Sequence, residues 1–161
     1  MMENQEYDPR ITAFINRLEK LDPGDRARLK RDAGCTLAEA QSSLGLFYSL
    51  LPYNVPHQQE EIYFLVATLF PLAEGNSKDD LGGSLKRARQ EKKNAKGLDR
   101  RVEILLDADL TQIPFRLRQV VHFLKSNRVP VNWPGLLSDL LYWTHPDRFV
   151  QQRWARSYFA G

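Results

Sequence analysis

Apolar residues recur along this chain at intervals of three and four and nowhere in a sustained alternation of two, so the pattern predicts an all-α protein. Ile11, Phe14, Ile15 and Leu18 make the first stripe, behind Asp8 as a helix cap and Pro9 in the first turn, where its missing N–H costs nothing. Asp22-Pro23-Gly24-Asp25 breaks that helix and opens a short second one, whose Arg26, Arg28, Lys30 and Arg31 form a basic knob stopped at Gly34. Thr36 and Glu39 have capping-box spacing and predict a helix through Leu44, Phe47 and Leu51 to Pro52. Another follows over 58–70, rich in apolar residues (Ile62, Leu65, Val66, Leu69, Phe70) and ended or kinked by Pro71.

From 73 to 83 the chain turns to Gly, Asn, Ser, Lys and Asp, including Gly82-Gly83, which reads as a mobile surface loop. Beyond it, Lys86, Arg89, Gln90 and Lys93 share one stripe, with Leu85 and Ala88 opposite. After an interruption at Lys96-Gly97, Asp99 is expected to cap a helix with Val102, Leu105 and Leu106 inward and Arg100 and Arg101 in its first turn. Cations there oppose the helix dipole by a few tenths of a kcal/mol and so need a reason outside helix stability. Thr111 is the expected cap of the next helix, which buries Ile113, Leu117, Val120, Val121 and Leu124 and leaves Arg118, His122 and Lys125 on the far side. Asn132-Trp133-Pro134 opens a leucine-rich helix, and after Pro146 a last one lines up Val150, Trp154 and Tyr158, with Arg148, Gln152 and Arg156 on another row. Together these stripes predict a compact bundle of about eight helices in two packed lobes, 1–72 and 84–161, joined by the loop 73–83.

At 161 residues the chain is long enough to bury a core without disulfide or metal staples, and no apolar run approaches the roughly 20 residues of a spanning helix. No membrane partner is expected. The polar, acidic start Met1-Met2-Glu3-Asn4-Gln5-Glu6 lacks the pattern of a secretory signal, so a cytoplasmic location is expected. The lone Cys35 excludes an internal disulfide and a multi-cysteine zinc site, and beside a cap it reads as a packing residue. Leu81-Gly82-Gly83-Ser84 lacks the spacing of either common nucleotide-binding loop, and Ser84 has no recognisable base. Asp107 and Asp109 offer two carboxylates to a divalent cation, the basis of a metal-assisted hydrolase alternative, but the sequence identifies no further ligands. No catalytic residue, metal or cofactor is therefore assigned. Trp133, Trp143 and Trp154 fall on apolar rows, where packing outweighs base stacking as their role.

Charge changes the picture more than chemistry does. Residues 84–161 carry 15 Lys and Arg against 7 Asp and Glu, whereas residues 1–83 carry 8 against 13, and residues 84–101 alone hold eight cations and two acids. Cations recur on four successive helices. A phosphate backbone demands several spaced charges, and arginine meets phosphate oxygens bidentately, so a polyanionic partner is expected. The plain alternative is a solvated charged face.

The chain resembles the CasB family, the small subunit of the type I-E CRISPR surveillance complex Cascade. The resemblance runs from Gly24-Asp25-Arg26-Ala27-Arg28-Leu29-Lys30-Arg31 onward and rests on the order and spacing of several pieces. These are Leu81-Gly82-Gly83-Ser84-Leu85-Lys86-Arg87, Asp99-Arg100-Arg101 with Leu105-Leu106-Asp107-Ala108-Asp109, Leu117-Arg118 with Leu124-Lys125, Val131-Asn132-Trp133 with Asp139-Leu140, and Val150-Gln151-Gln152-Arg153-Trp154-Ala155-Arg156. It implies a two-lobed helical subunit without catalytic role, present in two copies stacked head to tail and meeting the large and backbone subunits. Its basic surface would hold the target and displaced DNA strands once CRISPR RNA has opened the duplex, leaving sequence reading to base pairing. By position, Lys30, Arg31, Lys86, Arg87, Arg100, Arg101, Arg118 and Lys125 are the candidates for nucleic-acid contact. Arg116 and Arg156 are additions, with a buried structural role the alternative for Arg156. A pure protein scaffold, its cations meeting acidic patches on partner subunits, is the competing expectation.

Overall fold

The computed structural model describes residues 6–90 and 95–161; residues 1–5 and Lys93 of the expected basic stripe lie outside them. Among the described residues there are nine α-helices and no strand: α1 (Pro9–Glu19), α2 (Pro23–Arg31), α3 (Leu44–Leu50), α4 (Glu60–Leu69), α5 (Leu81–Gln90), α6 (Ala95–Leu106), α7 (Ile113–Ser126), α8 (Trp133–Leu141) and α9 (Phe149–Phe159). The all-α expectation holds, and among the described residues no helix is long and apolar enough to cross a membrane.

The bundle is built around α4. Every residue from Tyr63 to Leu69 is buried, so beyond its first turn this helix has no solvent side, and α2, α7 and α8 pack against it while α1 lies on α8. Phe14, Phe47, Tyr63 and Phe64 meet edge to face at its side, with ring centroids 5.0 to 6.2 Å apart. The second half of the chain centres on the α5/α9 pair, with α7 touching α4, α5 and α6. All three tryptophans are core residues, and each indole N–H finds an acceptor: Trp133 on the Ala73 carbonyl, Trp143 on the Ala108 carbonyl and Trp154 on the Asp139 carboxylate. Asp139 is also clasped by Arg153. Burial pushes the Asp139 carboxyl above its ordinary range, and the Arg153 guanidinium and Trp154 N–H act against that push.

Four local expectations give way to tertiary structure. The Thr36/Glu39 capping box forms, but it opens only the single 3-10 turn Leu37–Glu39, and α3 begins afresh at Leu44. Buried Asp32 is the reason: its carboxylate accepts from the backbone N–H groups of Gln41, Ser42 and Ser43 and from the Ser43 hydroxyl, which pulls the chain out of helix. Burial pushes this carboxyl up, and those four donors outweigh it, leaving it below its ordinary value.

The second departure is Gly82-Gly83, which lies inside the first turn of α5 and does not end a loop. A Cβ on Gly82 would sit 2.9 Å from the Cα and carbonyl carbon of Trp154, and nearer still to its oxygen, so α5 crosses α9 backbone to backbone. Third, α6 is already helical at Ala95, so Lys96-Gly97 does not interrupt it, and Arg100 and Arg101 sit in mid-helix, clear of the opening turn. Asp99 serves Arg89 and the Tyr158 hydroxyl instead of a cap. Fourth, the turn before α7 is held by Asp109, whose carboxylate accepts from the N–H groups of Thr111 and Gln112, and not by Thr111.

Candidate nucleic-acid interface

The five buried stripe residues of α7 fix its orientation, and the opposite face then presents Arg118, His122 and Lys125 to solvent. On α2 only Leu29 is buried, which leaves Lys30 and Arg31 exposed on the outer side of that short helix. The two helices meet through the turn after α2. Gly34 adopts the left-handed conformation (φ 79°), and a Cβ there would lie 3.1 Å from Cδ of Arg118, so the Arg118 stem runs across the turn. His122 lies within electrostatic reach of Arg118 and Lys125 on its own helix and of Lys30 on α2. Partial burial, then these three cations, hold its imidazole below the usual histidine range. Lys30, Arg118, His122 and Lys125 thus form one strip across two helices.

At Lys125 the strip runs into a groove of about 700 Å³ between the C-terminal ends of α1 and α7, the body of α2 and the segment 70–76. Arg26 and Arg128 line it together with Lys125, and Glu19 and Glu74 stand at its sides. Neither arginine was among the expected contacts. Arg26 belongs to the basic knob of α2 and stands at i, i+4 from Lys30, which could have added it, whereas Arg128 lies past the end of α7 and carried no helical signal.

The other expected contact residues are distributed elsewhere. Lys86 is half-buried and donates to the Ala160 carbonyl (2.8 Å), and Arg87 pairs with Asp79 (2.8 Å); both line a hollow that also holds Asp80 and Arg153. Arg100 and Arg101 are exposed on α6 and, among the described residues, form no ion pair; Arg100 shares a shallow depression with Glu103 and Asp107. Arg116 lies over the exposed ring of Phe115, 5.3 Å from its centroid. Arg156 is exposed, so it has no buried structural role; the structural arginine of α9 is the half-buried Arg153, which pairs with buried Asp139.

Reactive chemistry finds little support in the same geometry. Burial first, then the carboxylates of Asp32 and Glu39, push the Cys35 thiol up, which keeps it protonated and a poor nucleophile. Asp109 is occupied with the turn before α7, and Asp107 lies 3.6 Å from Arg148. Among the described residues no group of three or more potential ligands gathers in a way that could hold a metal ion.

The family model described as CRISPR-associated protein Cse2 matches residues 25–159. A curated CRISPR-associated protein Cse2 from Thermus thermophilus is 35% identical over 159 residues, covering 86% of this chain and 91% of that protein. Among solved structures, the CasB of M. ruber superposes with a TM-score of 0.78 at 29% identity, covering 96% of this chain and 94% of its own. A chain of a CRISPR RNA-guided surveillance complex superposes with a TM-score of 0.78 at 26% identity, covering 92% and 91%.

Proposed function

The chain belongs to the CRISPR-associated Cse2 family, and from that premise we propose that it is a non-catalytic small subunit of an RNA-guided surveillance complex, holding single-stranded nucleic acid on the strip formed by α2 and α7. The observation that carries this reading is the gathering of Lys30, Arg118 and Lys125 from two distant segments onto one exposed face, where none of the three has a carboxylate partner among the described residues. Unpaired cations at such spacing meet successive phosphates and leave base edges unread. Arg31, Lys86, Arg87, Arg100, Arg101, Arg116 and Arg156 are secondary contacts in this proposal, to strands or to neighbouring subunits. The partners are CRISPR RNA, the target and displaced DNA strands, the large and backbone subunits and a second copy of the chain. The likeness to a chain of a CRISPR RNA-guided surveillance complex supports this assignment.

The test is fluorescence anisotropy of the purified chain with two unrelated single-stranded DNA sequences between about 50 and 200 mM salt. Equal affinities are expected, falling with a slope of roughly −2 in log K against log salt if three phosphates are neutralised. Binding that is absent or indifferent to salt would move the cations to a protein-facing role. One observation does favour a protein contact as well: the rings of Tyr142 and Phe149 meet at a tilt, 5.7 Å between centroids, yet remain 53% and 42% exposed, an apolar surface suited to a neighbouring subunit.

His122 makes the same binding sensitive to pH. In the free protein its imidazole titrates below its ordinary 6.5 and is neutral at pH 7. A bound phosphate favours the charged form and raises that pKa, so binding takes up a proton and affinity rises as pH falls through the raised value towards the depressed value of the free chain. The gain on acidification is expected in the native chain and absent in His122→Gln; an identical gain in both would assign it to other groups.

A further inference from the structure

The groove at the end of the strip differs from the strip itself. Along α2 and α7 the cations stand on open surface, whereas here three cations face a concavity with an apolar wall that includes Phe70, Leu72 and Val129. Its volume of about 700 Å³ lies within the range of about 300 to 1,000 Å³ typical of small-molecule sites. A surface that served phosphate alone would need neither the concavity nor the wall.

Two of the cations are held in a particular way. The Arg26 guanidinium lies over the Phe70 ring, 5.5 Å from its centroid, while its Nε donates to the Leu21 carbonyl (3.3 Å) and its Nη2 to the Glu19 carbonyl (3.1 Å). A flat cation is thereby fixed in orientation before any ligand arrives, and guanidinium planes are stacking platforms for unpaired bases. Arg128 has a left-handed backbone (φ 57°) at the end of α7, where its own N–H bonds to the Lys125 carbonyl and the Val129 N–H reaches back to the Leu124 carbonyl. Glycine fits that position best, and any branched-chain alternative is strained there. An arginine occupies it and lines the groove beside Lys125. A strained, charged residue at the mouth of a concavity is an observation from which a role in binding can be argued.

We propose that this groove receives one nucleotide unit of the single strand, its base stacked on the Arg26 plane against the apolar wall and its phosphate held by Lys125 and Arg128. The proposal rests on the reading of the α2/α7 strip as a nucleic-acid surface and adds a base-dependent component to it. Lys125 belongs to both, so a strand followed along α7 arrives at the groove without leaving the cations. Glu19 and Glu74 reduce the positive charge of the groove, which makes it a poor trap for a free phosphate ion and a better fit for a unit that also carries a base.

The experiment compares two strands of equal length and charge, an ordinary single-stranded DNA and its fully abasic counterpart, at one salt concentration. The native chain is expected to bind the ordinary strand about tenfold more tightly, in keeping with the contribution of a stacked base. In Arg26→Lys, which keeps the charge and loses the plane, that ratio should fall towards one. In Arg128→Gly, which places glycine in the left-handed position, the melting temperature should hold or rise while affinity for the ordinary strand drops about fivefold, the effect of one lost phosphate contact at about 0.1 M salt. Equal binding of the two strands by the native chain overturns this inference and leaves the strip intact. A ratio that survives in Arg26→Lys overturns it by locating the base elsewhere, and an Arg128→Gly chain with undiminished affinity removes the phosphate arm. Failure of both strands to bind overturns the strip and the groove together.

Discussion

Replacing Lys30, Arg118 and Lys125 together by alanine is expected to lower affinity for single-stranded DNA by about two orders of magnitude at about 0.1 M salt and to soften the salt slope by about 2. Both figures follow from counterion release by three phosphate contacts at about 0.7 each, taken relative to 1 M salt. The fold should tolerate the change. All three side chains are exposed and none is ion-paired among the described residues, so helicity and melting temperature should stay close to native. The informative comparison is Arg100→Ala with Arg101→Ala, which removes two unpaired cations from α6. If that pair weakens binding more than the triple change does, the nucleic-acid surface lies on α6 and not across α2 and α7.

The largest effect on folding is expected at Gly82. An alanine there must push α5 away from the Trp154 backbone, and backbone atoms cannot turn aside as a side-chain end can. The cost should reach or exceed the roughly 3 kcal/mol at the upper end of overpacking. For a chain of this length that is a fall of about 6 to 12 °C in melting temperature. Gly83→Ala should cost less, because its added Cβ meets a single atom closer than 3.0 Å, the Cβ of Asp79 at 2.9 Å in the segment that leads into α5, and not the backbone of a packed helix. Thermal unfolding followed by circular dichroism separates the two; alanine's better helix propensity favours both variants alike, so equal melting temperatures would mean that the crossing with Trp154 does not set the cost.

Gly82 also marks where reading the sequence stops. The stripes of α1, α7 and α9 were legible because each helix has a solvent side, so the alternation of apolar and polar residues records burial directly. The glycine pair was not, because its reason is a stretch of backbone in α9, far along the chain. Asp32 is similar: a carboxylate in one segment decides where the helix in the next must stop, and no local rule contains that. Asp99 followed a cap's composition while doing a different task, accepting from Arg89 and Tyr158 across the α5/α6/α9 junction. The row Arg118, His122 and Lys125 was visible from α7 alone. Its union with Lys30, and the groove with Arg26 and Arg128, depend on how α2 and α7 lie together, which periodicity does not encode.

The placement of α8 has a consequence for how the chain acquires its structure during synthesis. Trp133 covers Phe70, with centroids 5.6 Å apart, and Asn132 donates to the Tyr7 hydroxyl, so the first four helices depend on residues made long after them. A nascent chain that stops before Trp133 leaves uncovered the side of α4 against which α8 packs. Completion of the N-terminal helices must wait for the ribosome to release α8, and until then the face of α4 that α8 covers is exposed to aggregation or chaperone capture.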